Sequence, residues 1–228
     1  MTARNDQIKS GSASVGGAGK SAGPSITDRI NKATRSVPAW PLYILGALPP
    51  VWLFYMGVTG GLGVDPVKVM EHQMGEWSLW LLIAGLCITP LQRYVGIRLI
   101  KYRRAIGLLT FFYVLAHFLV WLVLDVQIMS QILADIAKRP YVTVGFAAFL
   151  MLIPLAVTSN NWSVRKLGPG WRKLHQMVYA IAILGALHFI MLVKGFQIEP
   201  FLYMAAILGL IALRLPIWFP ALRRKRSA

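Results

Sequence analysis

Residues 174–193 read LHQMVYAIAILGALHFIMLV, twenty positions without an acid, a lysine or an arginine. An α-helix needs ~20 predominantly apolar residues to cross a bilayer. Two of the few polar groups in this run are imidazoles, His175 and His188, thirteen residues apart. A polar ring is costly in lipid, so an intramembrane histidine marks a functional site by default. A third, His117, lies in another apolar run, 105–124. Neutral imidazole is a standard axial ligand of haem iron. Three such residues in one small membrane protein point to a haem-carrying electron conduit.

The rest of the chain fits an all-α integral membrane protein. Of its 228 residues 57% are hydrophobic and the mean hydropathy is +0.59, too apolar for an ordinary soluble domain. Further apolar runs at 40–58, 77–91, 142–158 and 200–219 predict a bundle of six transmembrane helices. Pro49-Pro50 interrupts the first, which is tolerated where neighbouring helices satisfy the freed backbone groups. The formal net charge of +16 is distributed by topology. Twenty Lys/Arg fall before Trp40, in 92–104, in 160–173 and from Arg214 onward, against only Asp6 and Asp28. The alternate loops hold Lys68, Lys138, Arg139 and Lys194 against six acids. The positive-inside rule then puts both termini in the cytoplasm, and the charge is not a nucleic-acid footprint.

Residues 1–36, rich in Gly, Ser, Ala and Lys, read as a disordered cytoplasmic tail. The tail lacks the apolar core of a signal peptide, so the first span is expected to serve as an uncleaved insertion signal. Residues 37–222 are the six-helix domain, and 223–228 a basic cytoplasmic tail able to touch anionic lipid. Thr59-Gly60-Gly61-Leu62-Gly63 and Asp65-Pro66 are expected to break the chain, with a short interfacial helix at Val67–Gly75. His72 would then be a solvated loop residue. A second external helix fits within Asp125–Pro140. These external segments either receive a partner or simply connect spans. The single cysteine, Cys87, reads as small core filler.

Spans three and five both run outward. His117 lies twelve residues beyond Ala105, ~18 Å up the helix, and His188 lies ~20 Å beyond His175. His117 and His188 therefore sit at similar depth on different helices, as a bis-histidine b-type haem requires. Proton relay or simple satisfaction by a neighbouring helix are the other uses of such residues. His175 sits at the cytoplasmic mouth. Thirteen residues at ~100° rotate it ~220° from His188, so a shared face needs a bend or π-bulge, for example near Gly185. Arg103 and Arg104 could neutralise haem propionates, bind a flavin phosphate or mark the inside. Arg214 either snorkels to the inner headgroups or meets a propionate. Tyr113 either reaches a cofactor edge or packs. Trp77, Trp80, Trp121, Trp171 and Trp218 suit an aromatic belt.

Thr89-Pro90-Leu91, Arg103-Arg104-Ala105-Ile106-Gly107-Leu108 with Tyr113 and His117, Trp171-Arg172-Lys173-Leu174-His175 and His188-Phe189 resemble the MsrQ (YedZ) family. These are haem-binding membrane subunits of bacterial methionine sulfoxide reductase systems, within the ferric-reductase-like transmembrane group. The likeness covers roughly residues 40–220. It implies a multi-pass protein of the bacterial inner membrane carrying one or two b haems, with FMN as a possible additional cofactor. His117, His175 and His188 are the implied haem-iron ligands, with Arg103 and Arg104 beside the cofactors. Electrons are implied to pass from the quinone pool to a periplasmic molybdopterin-containing catalytic subunit, in a heterodimer that repairs oxidised periplasmic proteins. Sulfoxide reduction belongs to that partner, since nothing here resembles a molybdopterin site or catalytic thiol. Relatives that reduce iron or oxygen carry paired histidines on both helices and fused nucleotide domains. This chain has one histidine in span three and ends eight residues after Pro220, so no such domain is expected.

Two competing functions remain open at this stage. A quinol-linked metal-ion reductase would use the same conduit with an exposed outer haem edge. A transporter using the histidines as a proton or solute relay belongs to a different class. It should show internal repeats and discontinuous helices, and no convincing repeat is present.

Overall fold

The computed structural model describes residues 25–214, all of whose regular structure is helical. Residues 1–24 and the tail 223–228 lie outside the described residues, as do Trp218 and the end of the sixth expected span. The helices are α1 (Ile26–Ser36), α2 (Trp40–Val58), α3 (Pro66–Pro90), α4 (Arg103–Leu119), α5 (Met129–Lys138) and α6 (Pro140–Val157). They continue as α7 (Asn161–Leu167), α8 (Pro169–His175), α9 (Met177–Leu192) and α10 (Ile198–Ala212). Five stretches are long and apolar enough to cross a membrane: α2, Pro66–Val95, Ile100–Val126, α6 and Pro169–Leu192. The sixth expected span appears as α10, an apolar helix of 15 residues within the described part.

Pairs α3/α4 and α6/α9 pack most intimately, and α10 closes the bundle against α9 and α3. The core between α3, α6, α9 and α10 is built from Leu82, Leu86, Ala148, Leu152, Leu155, Ile181, Ala182, Ala186 and Ile207. Ala182, Ala186 and Ile207 are fully buried; small residues on α9 let the backbones approach, the usual device where lipid removes the hydrophobic drive between helices. On α2, Leu45, Val51, Trp52 and Tyr55 point outward, as expected of side chains facing hydrocarbon. The one long helix with so little buried surface sits at the rim.

Three local structures differ from the sequence expectation. Asp65-Pro66 starts a helix instead of ending one: the Asp65 carboxylate accepts from the Lys68 amide at 3.3 Å, and Pro66 takes the first helical position. The expected interfacial segment Val67–Gly75 is thus the first turns of the continuous 25-residue α3. Residues 26–36, within the expected disordered tail, form α1 under a reciprocal Ser25/Asp28 capping box. Asn31 ties α1 to the loop before α4, its amide donating to the Gly96 carbonyl and accepting from the Arg98 amide. Trp77, expected at an aromatic belt, lies mid-way along α3 edge-on to Tyr113. The second external helix forms as expected, as α5.

Candidate functional site

A cavity of about 640 Å³ opens beside the first turns of α3, in the half of the bundle expected to face outward, and is walled by α3, α4, α6 and α9. It is of cofactor size. His117 on α4 and His188 on α9 both line it, with ring centres 6.3 Å apart and planes at 76°. His117 Nδ1 lies 2.8 Å from the Glu71 carbonyl oxygen, and His188 Nδ1 lies 2.7 Å from the Tyr141 carbonyl oxygen. A carbonyl only accepts, so both Nδ1 atoms carry the proton and both Nε2 atoms keep a lone pair. Metal-binding histidines are held this way, with the far nitrogen fixing tautomer and ring orientation.

The spacing itself suits a shared metal. With ~2.0 Å per metal–nitrogen bond and ~1 Å from nitrogen to ring centre, two trans imidazoles stand roughly 6 Å apart. Two glycines make room for the rings. A Cβ at Gly145 would meet His188 Nδ1 at 2.7 Å, and one at Gly75 would meet His117 at 3.3 Å. Among the described residues no cluster of three or more His, Cys, Asp or Glu could hold a bare metal ion. Two protein ligands suit a metal whose other positions are filled by a macrocycle. Much of the wall is apolar, with Leu79, Leu82, Phe118, Phe149 and Phe189, and it also carries the cations Lys68, Arg139 and Lys194 and the acids Glu71, Glu76 and Asp125. The donor set and shape therefore fit haem. His72 lies on α3 and also lines this cavity, its ring edge against Phe189 at 5.6 Å between centres, so it is a wall residue instead of a loop residue.

The third histidine is not brought to this pair. His175 closes α8 at the inner end, and the helix breaks at Gln176 before α9, not near Gly185. Its Nδ1 faces the Trp171 carbonyl oxygen at 3.1 Å and its ring stacks on Trp171 at 3.8 Å between centres. Nε2 is 3.5 Å from the Ser159 hydroxyl, which donates to the Leu155 carbonyl. The same carbonyl pinning leaves this imidazole a lone pair at Nε2.

Around this inner end Arg104 donates to the Asn161 side chain at 2.8 Å, and Arg103 approaches the Tyr179 hydroxyl. Arg214 does not snorkel: it is buried to 3% exposure and bonds inward, to the Tyr179 hydroxyl at 2.7 Å and the Leu86 carbonyl at 2.5 Å. Tyr113 likewise packs, donating to the Gly46 carbonyl at 2.7 Å.

The ferric reductase like transmembrane component family matches residues 74–186, from the wall of the outer cavity into α9. Among curated proteins, the chain is 46% identical over 207 residues to the protein-methionine-sulfoxide reductase heme-binding subunit MsrQ of Agrobacterium fabrum. That alignment covers 90% of this chain and 94% of the relative. This chain belongs to the MsrQ family. The MsrQ of Rhizobium meliloti is 53% identical over 176 residues, covering 77% and 82%, and that of Brucella ovis 49% over 191, covering 83% and 86%. No solved structure matches the chain.

Sequence reasoning missed several parts of this MsrQ-family site. Gly75 and Gly145 carry no pattern of their own, and their role follows only from which ring lies opposite. The carbonyls of Glu71 and Tyr141 are backbone atoms, invisible to residue type. Arg139 is different: a cation between two external helices, already paired with Asp135 at 3.0 Å, could have been read as a rim residue. The ferric reductase like match ends at residue 186, two positions before His188, so that family profile alone would not have found the second imidazole.

Proposed function

We propose that this chain is the haem b electron-transfer subunit of a protein-methionine-sulfoxide reductase system in the bacterial inner membrane. Its six helices span the membrane with both termini in the cytoplasm. Electrons enter on the cytoplasmic side from the quinone pool, with FMN as a possible intermediary. They leave on the periplasmic side to a molybdopterin-containing catalytic subunit, bound as a heterodimer, which restores oxidised methionines in periplasmic proteins. The relatives' name, heme-binding subunit of a protein-methionine-sulfoxide reductase, supports both the cofactor and the existence of another subunit.

The observation that carries this reading is the outer pair. His117 and His188 stand 6.3 Å apart in one cavity, each pinned through Nδ1 to a backbone carbonyl. Haem supplies a one-electron carrier there. The chain's own residues present the two Nε2 lone pairs, set apolar side chains such as Leu82, Phe118 and Phe149 around them and place Arg139 and Lys194 where propionates can be neutralised. His175, with Arg103 and Arg104 beside it, is the candidate ligand for a second, inner haem. A helix rise of ~20 Å between His175 and His188 suits two carriers stacked across the membrane.

Oxidised and dithionite-reduced spectra, with haem quantified, test this on the purified chain. His117→Ala and His188→Ala should each remove the outer haem's share of a reduced b-type spectrum, and His175→Ala the inner haem's share. A wild type made with ample haem but lacking a Soret band would end the electron-carrier reading.

A further inference from the structure

At the His175 end of the bundle lies a buried guanidinium whose charge no acid balances among the described residues. Arg214 follows α10, is 3% exposed, and uses two of its nitrogens on neutral acceptors, the Leu86 carbonyl and the Tyr179 hydroxyl. Its third nitrogen, Nε, is buried with no hydrogen-bond partner among the described residues. Arg103 lies against the same Tyr179 and feels the charge of Arg214. Among the described residues the only ion pairs are Lys68–Asp65 and Arg139–Asp135, both at the opposite end of the bundle. A guanidinium taken out of water beside a second cation and without an anion is costly, and that cost is offset only by a well-placed counter-charge.

Burial rises along the cluster: Arg103 is exposed, Tyr179 half-buried and Arg214 only 3% exposed. We propose that Arg103, Tyr179 and Arg214 form a receptor for one phosphate group approaching from the cytoplasmic side. Arg214 Nε and the Arg103 guanidinium come from different helices, with Tyr179 between them. Donors arriving from several directions match a tetrahedral phosphate better than a planar carboxylate, which takes a single fork from one guanidinium. Two guanidiniums can neutralise either the single charge of a phosphodiester or the larger charge of a phosphate monoester at neutral pH. The group can come from a phospholipid headgroup of the inner leaflet or from a soluble phosphate ester. The proposal extends the role given above to Arg103 but stands on Arg214, which that role does not include.

The test uses the full haem-loaded chain and follows thermal unfolding, with the b-type spectrum recorded in parallel. Delipidated protein in detergent is compared in potassium phosphate and in potassium chloride of equal ionic strength. It is then compared in nanodiscs of phosphatidylglycerol and of an uncharged glycolipid that lacks phosphate. The wild type should be stabilised by a few degrees in phosphate, in phosphatidylglycerol, or in both. A response to phosphate identifies a soluble ligand, and a response to the lipid alone identifies a headgroup.

Arg214→Gln should abolish the shift, and Arg103→Gln should weaken it several-fold without touching the Leu86 contact. Arg165→Gln, on exposed α7, should leave it intact. If Arg214→Gln does not fold, Arg103→Gln alone decides. A wild type indifferent to all four conditions, or an Arg103→Gln variant responding like wild type, overturns the proposal. So does haem loss from Arg214→Gln in a wild type that ignores phosphate, which would assign the pair to a porphyrin carboxylate. The outer-site spectrum separates this failure from failure of the proposed function.

Discussion

Gly145 faces His188 so closely that a Cβ there would stand 2.7 Å from Nδ1 and 2.9 Å from Cε1. Both distances are below any normal contact, and the ring cannot retreat without leaving the Tyr141 carbonyl. Gly145→Ala should therefore lower haem retention about tenfold or more, the usual cost of disturbing the group that orients a metal ligand. At Gly75 the corresponding contacts with His117 are 3.3 Å, a few tenths of an ångström from comfortable. Gly75→Ala should cost much less. Haem-to-protein ratios of the two variants check the order; equal losses would show that the rings do not hold these positions in the loaded protein. Neither glycine has a positive φ, so the argument is one of space and not of backbone freedom.

At the scale of helices, prolines and their answering side chains organise the bundle. Pro50 has no amide hydrogen to give the Gly46 carbonyl one turn earlier, and the Tyr113 hydroxyl of α4 fills that place at 2.7 Å. Pro90 strands the Leu86 carbonyl in the same way, and Arg214 fills it from beyond α10. An unmade bond at a buried acceptor costs about 1–3 kcal/mol, whereas removing both causes together can be nearly neutral. Tyr113→Phe should therefore destabilise the protein by roughly that amount, and adding Pro50→Ala should recover part of it. A double-mutant cycle of unfolding free energies measures the coupling; strict additivity would show that the hydroxyl does not serve that carbonyl.

These contacts also mark the limit of what was readable in advance. The prolines and the orphaned carbonyls are written in the chain, but which side chain answers them depends on which helices are neighbours. In sequence, Tyr113 therefore reads equally as a cofactor contact or as packing, and Arg214 as a snorkelling cation or a propionate contact. Hydrophobic length located most of the spans, and helix rise put His117 and His188 at one depth. Rise says nothing about azimuth, so the break at Gln176 was not foreseen. Asp65-Pro66 and Ser25…Asp28 were readable as helix starts, but turn and tail composition masked them.

For the whole molecule, the proposal that the face with α1, α7 and the 92–104 loop is cytoplasmic rests on charge asymmetry. Cys87 is the only cysteine, so a Cys87→Ala background permits single-site labelling. Val64, fully exposed between α2 and α3, and Lys166, on α7, mark opposite faces. In intact spheroplasts a membrane-impermeant maleimide should modify Val64→Cys and spare Lys166→Cys, and inside-out vesicles should reverse the pattern. Labelling of Lys166→Cys from outside would invert the direction of electron flow proposed here.

The measurement that reaches the centre of the account is electron paramagnetic resonance of the oxidised, haem-loaded protein. His117 and His188 stand at 76° to one another, and each ring is pinned through Nδ1 to backbone. Near-perpendicular axial imidazoles give a low-spin ferric signal of strongly anisotropic type. The account predicts that signal in the wild type and its loss in both His117→Ala and His188→Ala. A low-spin signal that persists unchanged in either variant would contradict ligation by this pair.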